Sequence, residues 1–258
     1  MIQISRRLQA VAAMVQAHGP LADVGCDHGY IPIYLRQVGQ IQEAIAMDVN
    51  KGPLSKAKEH IAAYRMDAYI QTRLSDGVQA LQPGEVTTVV IAGMGGGLVQ
   101  KILQEGTRQL CGVEELILQP QSEIKQVRAA LPELGYQIVA EDMVLEDGKY
   151  YPMMRVVPLS FPIAKECARA KTQRMQTWSS ALDETQGEVL QDVMLRYGPE
   201  LLAAKHPVLQ QFLEKEKKQY DVILQKIEKQ PPSDKILQRK KELQKERLEC
   251  EIASKMIG

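Results

Sequence analysis

Five short apolar runs alternate with helix-like segments through the first half of the chain, and this rhythm restricts the fold more than any other feature. The runs cover 21–24, 44–47, 69–74, 86–92 and 116–119, and apolar residues recur at helical spacing in 30–38, 52–65, 98–105 and 122–134. Mostly apolar strands that alternate with helices are covered on both faces and pair in parallel through crossovers. Ahead of the first strand, Ser5 stands where it can cap a helix carrying Leu8, Val11, Ala12 and Val15 on one face. After the fifth, two extended stretches at 137–145 and 150–158 flank Glu146-Asp147-Gly148, which is hairpin chemistry. The predicted fold class is α/β, a mostly parallel doubly wound sheet closed on one edge by an antiparallel hairpin.

Beyond residue 158 the β-branched runs cease, and Lys, Glu, Gln and Leu dominate. Leu209, Leu213, Glu216, Tyr220, Ile223 and Ile227 step by four and three, a coiled-coil seam with a polar break at Glu216. Ile236, Leu243 and Cys250 continue the pattern at sevenfold spacing, after a turn predicted at Pro231-Pro232-Ser233-Asp234 with a helix cap at its end. Two helices pairing as an antiparallel hairpin satisfy this pattern. The predicted domains are therefore 1–160 and a helical, coiled-coil domain at 161–258.

The charge balance supports the same division. Thirty-two Lys and Arg offset thirty-two Asp and Glu, so no global field gathers polyanions. The first 160 residues carry 14 basic and 17 acidic side chains, the remainder 18 and 15, an acidic front and a basic tail. One Trp and two Phe make a stacking-type reader of single strands a poor fit. Cysteines at 26, 111, 167 and 250 have no metal-ligand or disulfide spacing, and no metal is expected. The opening residues have no small-residue cleavage site, and no run reaches the roughly 18 apolar residues of a membrane span. A cytoplasmic protein without membrane contact, and a monomer, is the expectation.

Ligands of doubly wound sheets bind beyond the carboxyl ends of the strands. Asp23 and Gly25 stand at the end of the first run, Asp48 at the end of the second, Asp76 and Gly77 after the third, and Gly93-Met94-Gly95 after the fourth. Asp48 lies 23 residues beyond Gly25, about the spacing at which an acid meets ribose hydroxyls. A dinucleotide calls for glycine where Asp27 stands, because a carboxylate repels pyrophosphate. S-adenosylmethionine carries no phosphate but a sulfonium and an ammonium, which Asp23, Asp27, Asp48 and Asp76 favour. The acids thus point to a methyl donor.

The strings SRRLQAVA at 5–12, LADVGCDHGYIPIYL at 21–35, VVIAGMGGGLVQKIL at 89–103, LILQPQ at 116–121 and EDGKYYPMMRVV at 146–157, with RYGPELL at 196–202, resemble the bacterial tRNA (adenine-22-N1)-methyltransferase family, often called TrmK. The resemblance implies a Rossmann-like class I methyltransferase domain followed by a coiled-coil domain, S-adenosylmethionine as cofactor, and tRNA, methylated on N1 of an adenine in its D-arm, as partner. Cys26 stands where the family often has Ser, and Gln121 where it has Asn.

The expected assignments follow. Asp27 is the catalytic carboxylate that stabilises the cation developing on the purine, with a purely cofactor-side role as its rival. Asp23, Gly25, His28, Asp48, Asp76, Gly77, Gly93, Met94 and Gly95 form the cofactor site, and Tyr30, Gln119, Pro120 and Gln121 meet the target base. Arg6, Arg7, Lys215, Lys217, Lys218, Arg239, Lys240 and Lys241 contact RNA phosphates. Two other readings fit the composition: a methyltransferase acting on a protein or small molecule, and a non-catalytic interaction protein that uses the coiled coil.

Overall fold

The computed structural model describes residues 1–229, 231 and 233–258. Chain contacts divide them into two units, Met1–Cys167 and Ala168–Gly258. The sequence-based division after residue 160 lies just ahead of the helix in which this boundary falls.

The first unit is built on seven strands: β1 (Leu21–Val24), β2 (Ala44–Asp48), β3 (Ile70–Leu74), β4 (Thr88–Met94), β5 (Glu115–Pro120), β6 (Tyr136–Glu146) and β7 (Lys149–Pro158). They lie in the order β3-β2-β1-β4-β5-β7-β6. β1 to β5 pair in parallel, and β7 runs antiparallel to both its neighbours. The expected edge hairpin is present, with β7 inserted between β5 and the outermost strand β6. Its two-residue turn, Asp147 and Gly148, has φ of 49° and 74°, the paired left-handed conformation that tight hairpins require.

Helices α1 (Arg6–Ala13), α2 (Tyr30–Gln37), α3 (Lys51–Ala63), α4 (Gly96–Glu105) and α5 (Ile124–Ala130) cover the sheet. Alternate residues of each strand enter separate cores. Ala22, Val24, Ile45, Met47, Val89, Ile91, Leu116 and Leu118 pack with residues of α4 and α5, whereas Leu21, Ala44, Ala46, Val90 and Ile117 pack with residues of α1, α2 and α3. Asp23 and Gln119 have the parity of the second set, so they share the face on which α1 lies. That helix is tied at both ends. The Ser5 hydroxyl accepts the Leu8 N–H, the Glu146 carboxylate accepts the Arg6 N–H at 2.7 Å, and Glu115, buried, accepts the N–H groups of Gln16 and Ala17 at 2.9 Å each.

α5 is shorter than the predicted 122–134. Ser122 and Glu123 stay outside it because their side chains turn to α4, where Ser122 Oγ accepts the Gly96 N–H at 3.3 Å and Glu123 accepts the Gly97 N–H at 2.9 Å. These bonds satisfy donors that the first turn of any helix leaves open.

α6 (Pro162–Ser180) spans the unit boundary, and α7 (Glu184–Tyr197), α8 (Pro199–Ala203), α9 (Pro207–Glu228) and α10 (Asp234–Ile257) complete the second unit. α9 and α10 form an antiparallel pair within one chain. Leu209, Leu213, Tyr220, Leu243 and Cys250 are buried in it, the Cys250 thiol donates to the Leu213 carbonyl at 3.5 Å, and Arg247 meets Asp221 at 2.9 Å. The seam is not uniformly closed: Ile223 is 39% exposed, and Ile227 and Ile236 are half-buried. The physical reason is α7. It packs against the C-terminal half of α10 through Lys245 to Asp192 and Arg196 to Glu249, and so completes a core at that end only. The polar break at Glu216 is satisfied there by Tyr197, whose hydroxyl donates at 2.9 Å. Ser233 caps α10 by accepting the Ile236 N–H, with Asp234 as the first helical residue; Pro232 of the predicted turn lies outside the described residues.

Candidate active site

The carboxyl ends of β1 and β4 frame a cavity of about 210 Å³. Its lining includes Asp23, Gly25, Cys26, Asp27, Tyr30, Gly93, Gln121 and Arg7. β1 delivers Asp23 into the sheet interior and then breaks, because Gly25 has φ of 74° and both its N–H and that of Cys26 donate to the Met47 carbonyl. A Cβ on Gly25 would run into Met94 Cε, and left-handed backbone already favours glycine there. Asp27 follows at φ 47° with its side chain 72% exposed toward the mouth. β4 is irregular between Ala92 and Met94, and this turns Gly93, at φ 83°, toward the same space.

Asp23 is the electrostatic centre of the site. It is 3% exposed, and burial, with Asp48 and Asp27 adding like charge, raises its carboxyl to about 7. Burial first, then the charges of Asp23, Asp48 and Asp27, push the Cys26 thiol far up, so Cys26 is a neutral wall residue. Asp23, Asp27 and the nearby Asp48 outnumber Arg7, the cation in the lining, and this balance suits a cationic ligand better than a phosphate.

Asp48 ends β2 and accepts the Asn50 N–H at 2.8 Å. Asp76 is exposed beyond β3, next to Gly77 at φ 56°, and the two acids sit at adjacent strand ends because the Ser75 N–H donates to the Asp48 carbonyl. Neither Asp48 nor Asp76 lines the cavity itself. Met94 packs over Gly25, and Gly95 caps α4. Gly96, directly after them, has no room for a side chain, since a Cβ would collide with the Ser122 carbonyl.

Three predicted residues are placed differently from their expected roles. Gln119 is fully enclosed, and its Oε1 accepts from Arg7 Nη1 at 2.8 Å. Arg7, expected among peripheral phosphate contacts, lines the cavity and lies 5.5 Å from the Tyr151 ring centroid. His28 is not in the cavity wall; its ring meets Tyr30 at 5.2 Å, and its Nδ1 lies 2.9 Å from Asp27 Oδ1 without hydrogen-bond alignment. Pro120 is buried at the end of β5, and the Gln121 N–H donates to the Met94 carbonyl, which holds the Gln121 side chain near Gly93. Arg6 is exposed on α1.

On the helical unit, Lys215, Lys217, Lys218 and Lys241 are exposed, whereas Arg239 pairs with Glu242 at 3.2 Å and Lys240 with Glu228 at 3.1 Å. Among the described residues no group of three or more His, Cys, Asp or Glu side chains is arranged to hold a metal ion, and no helix is long and apolar enough to cross a membrane. Sequence reasoning missed Leu8, Ile31 and Ala92 as cavity residues, His60 as a neighbour of His28, and Glu146 as the anchor of α1. The family-like string that begins at Glu146 was the available signal for the last.

Sheet order, the acid inside β1 and the glycine loop after β4 together define a methyltransferase of the Rossmann-like class. Residues 4–154 match the family described as "Methyltransferase domain". The tRNA (adenine(22)-N(1))-methyltransferase of Bacillus subtilis is 35% identical over 153 residues, 59% of this chain and 64% of the relative, so that match spans less than two thirds of the relative's length. A Streptococcus pneumoniae structure, described as a proposed tRNA (m1A22) methyltransferase, is 32% identical with a TM-score of 0.79, covering 98% of this chain and 100% of that one. The same protein has also been solved with S-adenosyl-L-methionine. The B. subtilis m1A22 tRNA methyltransferase TrmK superposes at a TM-score of 0.78 with 26% identity over 100% of both chains. The chain belongs to the bacterial tRNA (adenine-22-N1)-methyltransferase family.

Proposed function

We propose that this protein transfers a methyl group from S-adenosylmethionine to N1 of adenine 22 in the D-arm of tRNA. The observation that carries the reading is the acidic cavity between Asp23, Asp27 and the Gly93 loop, set in a chain similar over its whole length to proteins described as m1A22 methyltransferases.

The cofactor fits this chain's residues. Asp23, held near neutrality by its surroundings, gains its charge when a cation binds, and Asp27, Asp48 and Asp76 extend the negative surface along the strand ends. S-adenosylmethionine supplies an electrophilic methyl on a sulfonium. Gly25 and Gly93 line the cavity and leave its wall backbone where cofactor and base approach each other. Adenine N1 keeps a lone pair in its neutral form, so no base need remove a proton before attack. As the bond from N1 to the methyl carbon forms, the bond from that carbon to sulfur breaks, and positive charge moves onto the purine. Asp27, open at the cavity mouth, stabilises that charge and accepts a proton from the exocyclic amine afterwards. Tyr30 and Gln121 face the same cavity and hold the base, with Gln119 and Pro120 behind them.

N1 lies on the Watson–Crick edge, so the base must leave its stack or be exposed by the tRNA fold. Shape and phosphate contacts then supply recognition. Lys215, Lys217, Lys218, Arg239, Lys240 and Lys241 serve this purpose on the helical unit, with Arg6 on α1; the Glu242 and Glu228 carboxylates compete with phosphate for Arg239 and Lys240. α9 pairs with α10 of its own chain, and a monomer acting in the cytoplasm is part of this reading.

Methyl transfer to unmodified tRNA, with the target adenine replaced as control, tests the reading. Product on wild-type tRNA alone is expected; equal product on the replaced RNA rejects the site. Asp27→Ala should nearly abolish transfer and leave cofactor affinity within about threefold, and loss of cofactor binding would move Asp27 to the cofactor side.

A further inference from the structure

The loop that carries Asp27 runs from Cys26 to Gly29 and turns through left-handed backbone, with Asp27 at φ 47° and Gly29 at φ 68°. Its start is fixed by the Met47 carbonyl, which accepts two N–H groups, and its turn closes through the Gly29 N–H to the Cys26 carbonyl at 2.8 Å. Its end lies against α3, where a Cβ at Gly29 would sit 3.5 Å from Ala57 Cβ. The centre is left to a side chain. α2 begins at Tyr30, and its first carbonyl to receive a helical N–H is that of Gly29, from Ile33. The His28 carbonyl precedes this ladder.

His60, one turn beyond Ala57 on α3, fills that role. Its Nδ1 lies 3.1 Å from the His28 carbonyl, and toward a carbonyl a ring nitrogen can only donate. Its ring also stacks on Tyr30, with centroids 5.3 Å apart and planes 14° apart, and meets the His28 ring at 5.4 Å. Asp27 is covalently next to the residue held in this way, and His28 Nδ1 touches its carboxylate.

We infer that His60 is a positioning residue for methyl transfer: it holds the 26–29 loop from α3 through the His28 carbonyl and thereby aims Asp27 at the base. The inference rests on the role given to Asp27 above. His60 lies outside the cavity lining, so its effect is on the orientation of the groups that do line it.

Two variants of the full chain separate the bond from the ring. His60→Phe keeps a stacking ring and loses the donor. His60→Asn sets an amide nitrogen the same number of bonds from Cα as Nδ1, keeping the donor and losing the ring. With S-adenosylmethionine and unmodified tRNA, His60→Phe is expected to lower kcat about tenfold, with KM for tRNA and Kd for cofactor within about twofold, while His60→Asn stays within about threefold of wild type. Hydrogen exchange of the 26–29 amides, measured without ligands, should quicken in the Phe variant only. Wild-type kcat in His60→Phe, equal losses in both variants, or a loss confined to KM or Kd overturns the inference. If the Phe variant does not fold, His60→Asn decides alone, because it must retain kcat. Exchange rates that follow the expected order in a protein that methylates no tRNA would sink the functional reading and leave the positioning of the loop standing.

Discussion

Replacing Asp23 by asparagine isolates one buried carboxyl at the centre of the site. The carboxyl is buried inside β1, and its folded pKa is raised from 3.8 to about 7 by burial first, then by Asp48 and Asp27. A raised carboxyl keeps its proton in the folded state while the unfolded chain has already released it. Below pH 4 both states hold the proton and the group contributes nothing to pH dependence. Between pH 4 and 7 the unfolded state is favoured progressively, by about 1.4 kcal/mol per pH unit, and above 7 the effect is complete. A shift of this size amounts to about 4 kcal/mol, an upper figure for a site that a cation or water can reach. Asp23→Asn preserves shape and deletes the titration. The unfolding free energy of the variant minus that of wild type should therefore rise with pH across this window and level off above 7. Thermal and urea unfolding of both proteins at half-unit steps from pH 4.5 to 8.5 read the difference directly. A difference that stays constant, or that shrinks as pH rises, would show that folded Asp23 is ionised at pH 5 and has a stabilising partner, and the reasoning about a cation-seeking site would be wrong.

Other perturbations address separate parts of the structure. Arg128 and Glu141 form a pair at 2.7 Å with side chains 1% and 0% exposed, so Arg128→Met should destabilise the first unit by about 3–5 kcal/mol in denaturant titration, since it removes the guanidinium from a buried carboxylate. The double change Arg128→Met with Glu141→Leu should recover most of that loss; no recovery would contradict an electrostatic origin. Charge reversal of Lys217 and Lys218 should raise KM for tRNA and reduce the slope of log KM against log salt by about one for each phosphate contact removed, with kcat unchanged. An unchanged slope would mean that α9 does not meet the RNA.

The parts of the fold that were legible are those governed by local rules. β1, β2, β4 and β5 announce themselves because strands buried on both faces are mostly apolar, β3 at the sheet edge only by its place in the rhythm, and the hairpin is visible because Asp147-Gly148 accepts left-handed backbone that few residue pairs tolerate. The α9 and α10 seam was visible for the same reason, but not its opening toward Ile223, which depends on where α7 stops. Within the site, Asp23, Asp27 and the glycine loop could be read because each closes a strand, and the strand end is where such sheets bind ligands.

What remained hidden depends on partners far apart in the chain. Arg7 looked like a surface cation until Gln119, 112 residues away, was seen to accept its hydrogen bond and Glu146 to fix the start of its helix. His60 reads as one more polar residue on α3 until the fold brings it to the His28 carbonyl. The sequence by itself determined the order of elements through residue 158 and the α9–α10 pair, the acidic character of the strand ends and the kind of ligand they favour, because periodicity and charge are properties of neighbouring residues. Only the tertiary structure decided which side chains face the cavity, which cations are already paired, and what holds the Asp27 loop, because those depend on distances between elements that no local pattern encodes.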